Sequence, residues 1–183
     1  DCLALSVQLC NVSAHKLMGA QIVAGFAMAE VLMPYLDVRM KWPNDLVYKG
    51  KKLAGMLIET KFAGNALNKA VFGIGININA VPSALIDKAA AVKEIYKDTF
   101  DIPLFIEQAV ALLEEKMAQY LSDELNIAEE WPLYSANYMK PVSVHINGRK
   151  QTIQETGITE KGYLIANHTE IITEGEIAYD FGI

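Results

Sequence analysis

The period of apolar and polar positions changes several times along the chain, and each change marks an element. Residues 2–9 form an apolar run of strand length. After Ser13, apolar Leu17, Met18, Ile22, Phe26 and Val31 recur near helical spacing. That pattern predicts an amphipathic helix to about Met33, capped by Ser13, closed by Pro34 and packed on a sheet. Residues 38–42, 46–48 and 52–60 predict three strands, joined by turns at Pro43-Asn44-Asp45 and Lys49-Gly50-Lys51. Residues 69–79 predict another strand, unusual in holding Gly73 and Gly75 and in ending on Asn77 and Asn79.

Helices are expected over residues 83–96 and 103–121, the second with Pro103 in its first turn and Phe105, Ala109, Leu112, Leu113 and Met117 along one face. A further helix over 127–138 is expected to break at Pro132. From about Lys140 the pattern becomes short strands at 142–146, 150–155, 163–165 and 176–179, with Asn147-Gly148 as a strong hairpin signal. The fold class is therefore α+β: a mixed sheet packed with helices in residues 1–138, then a small barrel-like β domain in 139–183. That second domain is expected to dock on the first, because so short a segment has a marginal core. The chain opens inside an apolar strand without a methionine, so an upstream segment is expected.

Composition narrows the function. The 183 residues are 52% hydrophobic and 21% charged, ordinary for a globular protein. A net charge of -6 and a pI near 5.1 argue against broad electrostatic binding to nucleic acid. Lys41, Lys49, Lys51, Lys52 and Lys61 still offer a local basic pocket. Cys2 and Cys10 lie in one extended run, too far apart to bridge. No segment reads as a membrane span or a signal peptide, so a cytoplasmic protein is expected. His15, His145 and His168 lack metal-ligand spacing, and no metal site is expected.

Lys52 follows a turn, where its ammonium can sit over a phosphate or another oxyanion; a solvated hairpin lysine is the plainer alternative. Asp45 can serve as a general base, or it can simply stabilise its turn. Gly55, Gly73 and Gly75 expose backbone on which a flat ligand can lie, or they allow a helix to pack closely. Gly73-Ile74-Gly75 lacks the third glycine and the strand-to-helix turn of a dinucleotide fingerprint.

Together, Lys41-Trp42-Pro43-Asn44-Asp45, the segment Lys52-Leu53-Ala54-Gly55-Met56-Leu57-Ile58-Glu59 and the strand Gly73-Ile74-Gly75-Ile76-Asn77 resemble the catalytic core of biotin protein ligases. The β-rich C-terminal segment is similar to that family's SH3-like domain. The resemblance implies a ligase that forms a carbon–nitrogen bond. Biotin and ATP, with Mg2+, would give biotinyl-AMP, and a lysine of a biotin carboxyl carrier domain would take the biotinyl group. Lys52 and Asp45 would be catalytic. Lys52, Gly55, Leu57, Gly73 and Gly75 would bind biotin, and Lys41, Asn44 and Asn77 would face ATP or the adenylate. A homodimer is expected, with neither nucleic acid nor membrane as partner. The family's Ser/Thr-Thr-Asn stretch and its glycine- and arginine-rich loop do not occur in these residues. A lipoate or octanoyl transferase of the same wider fold, and a non-catalytic biotin-binding or dimerisation module, are the alternatives.

Overall fold

A computed structural model of the chain describes residues 2–9, 13–63, 66–146 and 148–179, with backbone alone at 62, 63 and 66–68. Cys10, and with it the spacing argument about the two cysteines, lies outside the described residues. Cys2 is an exposed free thiol.

Five strands form the first sheet: β1 (Cys2–Leu9), β2 (Val38–Lys41), β3 (Asp45–Tyr48), β4 (Lys51–Ala63) and β5 (Ala66–Asn77). Their order is β1-β5-β4-β3-β2 and every ladder is antiparallel. The parallel component of the expected mixed sheet is confined to isolated bridges at Met40–Ser135 and Lys52–Ala89. Short turns impose this pairing. Between β3 and β4, Lys49 and Gly50 have φ of 47° and 79°, the two positive values that a two-residue hairpin turn needs. Asp45 belongs to β3 rather than to the preceding turn. β4 and β5 begin or end beyond the expected limits, since they pair with each other as far as Ala63 and Ala66.

Helix α1 (Leu17–Leu32) follows a 3-10 turn, Ala14–Lys16. Ser13 does not cap it through its side chain; instead Lys16 N donates to Ser13 O at 3.0 Å. Nor is α1 amphipathic, because every residue from 22 to 29 is buried. A helix apolar on all sides belongs in the interior, and this one lies between the first sheet, α3 (Ile102–Leu121) and α4 (Ile127–Tyr134). Two glycines permit the approach. A Cβ at Gly25 would collide with Met40, and one at Gly19 with Tyr120.

The continuous helix expected over 83–96 is instead a 3-10 turn, Ser83–Leu85, and a short α2, Val92–Ile95. Between them the backbone bonds to the start of β4: Lys52 N donates to Lys88 O at 3.0 Å and Ala90 N to Lys52 O at 2.9 Å. Satisfying the Lys52 peptide group in this way breaks the helix. α3 starts as expected, with Asp101 accepting from Leu104 N at 3.0 Å and a proline in the first turn. α4 contains Pro132 and ends at Tyr134, because Ser135 and Ala136 turn to bond β2.

The second sheet joins β6 (Pro141–Ile146), β7 (Arg149–Ile158), β8 (Leu164–Ala166), β9 (Glu170–Ile172) and β10 (Glu176–Ile177) in the order β10-β6-β7-β8-β9, all antiparallel. β9 is too short to show in the pattern. It forms because Asn167 and His168, with φ of 52° and 70°, close a tight turn after β8. Tryptophans seat this sheet on the rest. Trp42 Nε1 donates to Gly162 O at 2.9 Å, and Trp131 Nε1 to Glu155 Oε1 at 2.9 Å. Both sheets contribute to one apolar core.

Candidate functional site: a glycine floor beside a lysine–aspartate pair

Side chains on a strand alternate between faces. On β4, Met56 points to α1, where Gln21 Nε2 also donates to Met56 O at 2.9 Å. Gly55 and Leu57 therefore face away from the helix, and Leu57 is 58% exposed. Cross-strand register extends this outer face. Gly55 pairs with Asp45 on one side and with Gly75 on the other, and Gly75 pairs with Ala4. The next row holds Leu57, Gly73 and Ser6. A Cβ at Gly75 would meet nothing within 4 Å, and one at Gly73 only Leu57 O at 4.0 Å. The helix packs on the opposite face, so these glycines leave backbone open rather than making room for α1.

Lys52 reaches this face because the β3–β4 register shifts. Val47 pairs with Lys52 and Leu46 with Ala54, which leaves Leu53 as the extra residue of a bulge. Without it, Lys52 and Gly55 would point to opposite faces. With it, the Lys52 side chain lies over Gly55, and its Nζ sits 2.6 Å from Asp45 Oδ1. The Asp45 side chain is 3% exposed and that of Lys52 45%. A buried carboxylate thus anchors a cation whose other N–H donors are free to turn toward the open floor.

The second carboxylate oxygen looks the other way. Tyr179 OH donates to Asp45 Oδ2, and Lys41 Nζ is 3.5 Å from the same atom. Lys41 also donates to Ile177 O at 2.7 Å, lies 3.5 Å from Glu176 Oε1 and sits 4.0 Å over the Tyr179 ring. Burial pushes the Lys41 ammonium below its ordinary range, against the pull of Asp45 and Glu176. Burial first, and then Asp45, push the Tyr179 hydroxyl up, so at neutral pH it is a donor. Lys41 and Tyr179 also line a cavity of about 470 Å³, with Val47, Asn137, Ser143 and Thr152.

Of the residues singled out in the sequence, Asp45, Lys52 and Gly55 touch, and Gly75, Gly73 and Leu57 continue their face. Lys41 joins them from the buried side, facing the C-terminal segment. Asn44 Nδ2 donates to Met56 O at 2.8 Å, and Asn77 Nδ2 to Ala90 O at 3.1 Å, so both brace backbone at the rim. Tyr179, Glu176 and Ser6 belong to the neighbourhood and carry no local sequence signal. Among the described residues no group of His, Cys, Asp and Glu gathers to hold a metal. No described helix is long and apolar enough to cross a membrane.

An antiparallel sheet with a central helix on one face and a glycine floor with a Lys–Asp pair on the other marks a class: residues 2–77 match the Biotin/lipoate A/B protein ligase family. The bifunctional ligase/repressor BirA of Escherichia coli (strain K12) is 30% identical over 166 residues, covering 84% of this chain and 50% of its own length. BirA of Bacillus subtilis (strain 168) is 26% identical over 146 residues, 74% of this chain and 43% of its own. Among solved structures, the biotin protein ligase from Aquifex aeolicus in complex with biotin and ATP superposes with a TM-score of 0.82 at 23% identity, covering 97% of this chain and 77% of that one. Residues 2–77 therefore belong to the Biotin/lipoate A/B protein ligase family, and the chain has the fold of the biotin protein ligases. It spans about half the length of the curated relatives it matches.

Proposed function

We propose that the protein is a biotin protein ligase whose residues 1–138 carry part of the catalytic domain and whose residues 139–183 form an SH3-like accessory domain. In the first step a biotin carboxylate oxygen attacks the α-phosphorus of ATP, pyrophosphate leaves and biotinyl-AMP forms. In the second, the amine of a lysine on a biotin carboxyl carrier domain attacks the acyl carbon. An amide forms, AMP departs and the amine gives up a proton. The Lys52–Asp45 pair at the edge of the glycine floor carries this reading.

Gly55, Gly73 and Gly75 would let the biotin bicycle lie on the backbone, with Leu57 beside it. Lys52 would bring its ammonium to the carboxylate and the α-phosphate oxygens, where charge accumulates. Asp45 would orient Lys52 and then receive the acceptor's proton. Asn44, Asn77 and Lys41 would shape the adenylate end of the pocket. Mg2+ would arrive with ATP as its complex. A homodimer in the cytoplasm is the setting this reading expects. The relatives' names favour biotin over lipoate.

The test is formation of labelled biotinyl-AMP from biotin and ATP. Lys52→Ala is expected to lower its rate about 10²–10³-fold. Unchanged adenylation in that variant removes Lys52 from the site.

A further inference from the structure

We propose that Tyr179 is a positioning residue for Asp45, holding Oδ2 from the C-terminal segment so that Oδ1, buried beneath the Lys52 ammonium, is aimed at the end of the glycine floor beside Gly55. The proposal rests on the ligase reading and adds that the second sheet completes the site of the first.

The contacts at the two oxygens are unlike. Oδ1 meets Lys52, whose side chain is 45% exposed; a half-exposed lysine is a mobile, screened partner and holds a carboxylate weakly. Oδ2 meets the hydroxyl of Tyr179 on the buried side, next to Lys41. With a donor fixed at one oxygen, the carboxylate plane is set whether or not Lys52 is in place. Tyr179 also carries Lys41 on its ring face, at 4.0 Å. One side chain thus holds both members of the buried Lys41–Asp45 pair.

The backbone around Tyr179 is fixed by the second sheet. Ala178 N donates to Ser143 O at 2.7 Å, and Ile177 O accepts from Lys41 Nζ at 2.7 Å. The ring therefore comes to Asp45 from a strand register set by β6 and β10. The hydroxyl is neutral where it donates to Oδ2, so it adds no negative charge beside Asp45. An acceptor lysine arriving from the open floor displaces Lys52 from Oδ1 while Tyr179 keeps Oδ2. The amine proton then passes to Oδ1 as the amide bond forms and AMP leaves. Adenylation needs no such proton transfer and draws on Asp45 only through Lys52, so Tyr179 weighs more on the second step.

Tyr179→Phe in the full-length protein keeps the ring and its packing on Lys41 and removes only the hydroxyl. Transfer from preformed biotinyl-AMP is expected to lose about tenfold in kcat with the acceptor KM unchanged, and adenylation, which relies on Asp45 only through Lys52, to lose clearly less, about two- to threefold. In an Asp45→Asn background the substitution is expected to do nothing further to transfer. Thermal unfolding supplies a readout independent of activity: the shift caused by Tyr179→Phe should disappear in an Asp45→Ala background, where no acceptor remains for the hydroxyl. Equal loss in both steps, or transfer effects that add fully in the Asp45→Asn background, overturns the proposal. If the wild-type protein makes no biotinyl-AMP, the ligase reading falls. The unfolding cycle then still decides whether Tyr179 holds Asp45, additive shifts overturning it.

Discussion

Asp45 and Gly55 are register partners on β3 and β4, and the side chain that Gly55 lacks is the space in which Lys52 crosses to Asp45 Oδ1. A Cβ at position 55 would stand 3.1 Å from Lys52 Cε and Nζ and 3.3 Å from Asp45 Oδ1. The end of a lysine can move, so Gly55→Ala is expected to cost less than about 1 kcal/mol of stability. Displacing the ammonium should lower biotinyl-AMP formation about tenfold. Urea unfolding and the adenylation assay check the two halves, and a stable variant with full activity would show that the pair needs no glycine.

Gly75→Ala separates packing from ligand contact. Nothing lies within 4 Å of the added methyl, and alanine restricts the unfolded chain, so stability should be unchanged or higher by up to about 1 kcal/mol. If biotin lies on this row, its affinity by calorimetry should fall at least about tenfold, as a methyl projecting into a filled site costs about 1–3 kcal/mol. Unchanged affinity would move the ligand off Gly75.

Asp45→Asn tests the buried side of the pair. Lys41 would keep Ile177 O and the mostly exposed Glu176 but lose the carboxylate that faces it in the interior. Removing one partner of a buried pair leaves an uncompensated charge, and a loss of about 3 kcal/mol is expected by urea denaturation. A variant as stable as wild type would mean that Ile177 O and Glu176 satisfy Lys41 unaided.

Glu155 gives a pH signature unrelated to ligand. It is 0% exposed, with Oε1 accepting from Trp131 and Ser135. Burial pushes its carboxyl up from 4.5, against the opposing pull of those bonds and of Lys140. The folded protein therefore binds this proton more tightly than the unfolded chain. Its stabilisation is greatest below the unfolded value and declines as pH rises from there through the folded value. Glu155→Gln keeps an acceptor for Trp131 and Ser135 and has no charge to bury. It should melt higher than wild type near pH 7, with the difference shrinking toward about pH 4. A pH-independent difference would contradict this.

Trp42 ties the first sheet to the turn before β8 through its bond to Gly162 O. Trp42→Phe removes the donor and strands a buried carbonyl, so a loss of about 1–3 kcal/mol is expected in equilibrium unfolding. Loss within error would show that water replaces the indole.

Order of elements, hairpin turns and the three motif segments were legible in the sequence because each depends on a few neighbouring residues. Lys49-Gly50 dictates its turn by stereochemistry, Asp101 and Pro103 start α3, and the Gly73–Asn77 strand shows its bareness in its letters. The family resemblance rested on these same local segments. Three features escaped. The burial of α1 on all sides depends on which elements surround it. The helix expected over 83–96 yielded to hydrogen bonds with Lys52. The site itself needed both a bulge at Leu53 and a partner, Tyr179, that lies 134 positions from Asp45. The sequence alone determined that a lysine and an aspartate lie near strand ends and that Gly55, Gly73 and Gly75 stand inside strands. Tertiary structure decided that they share one face, since strand alternation would have turned Lys52 inward, and long-range packing decided that the C-terminal segment closes behind them.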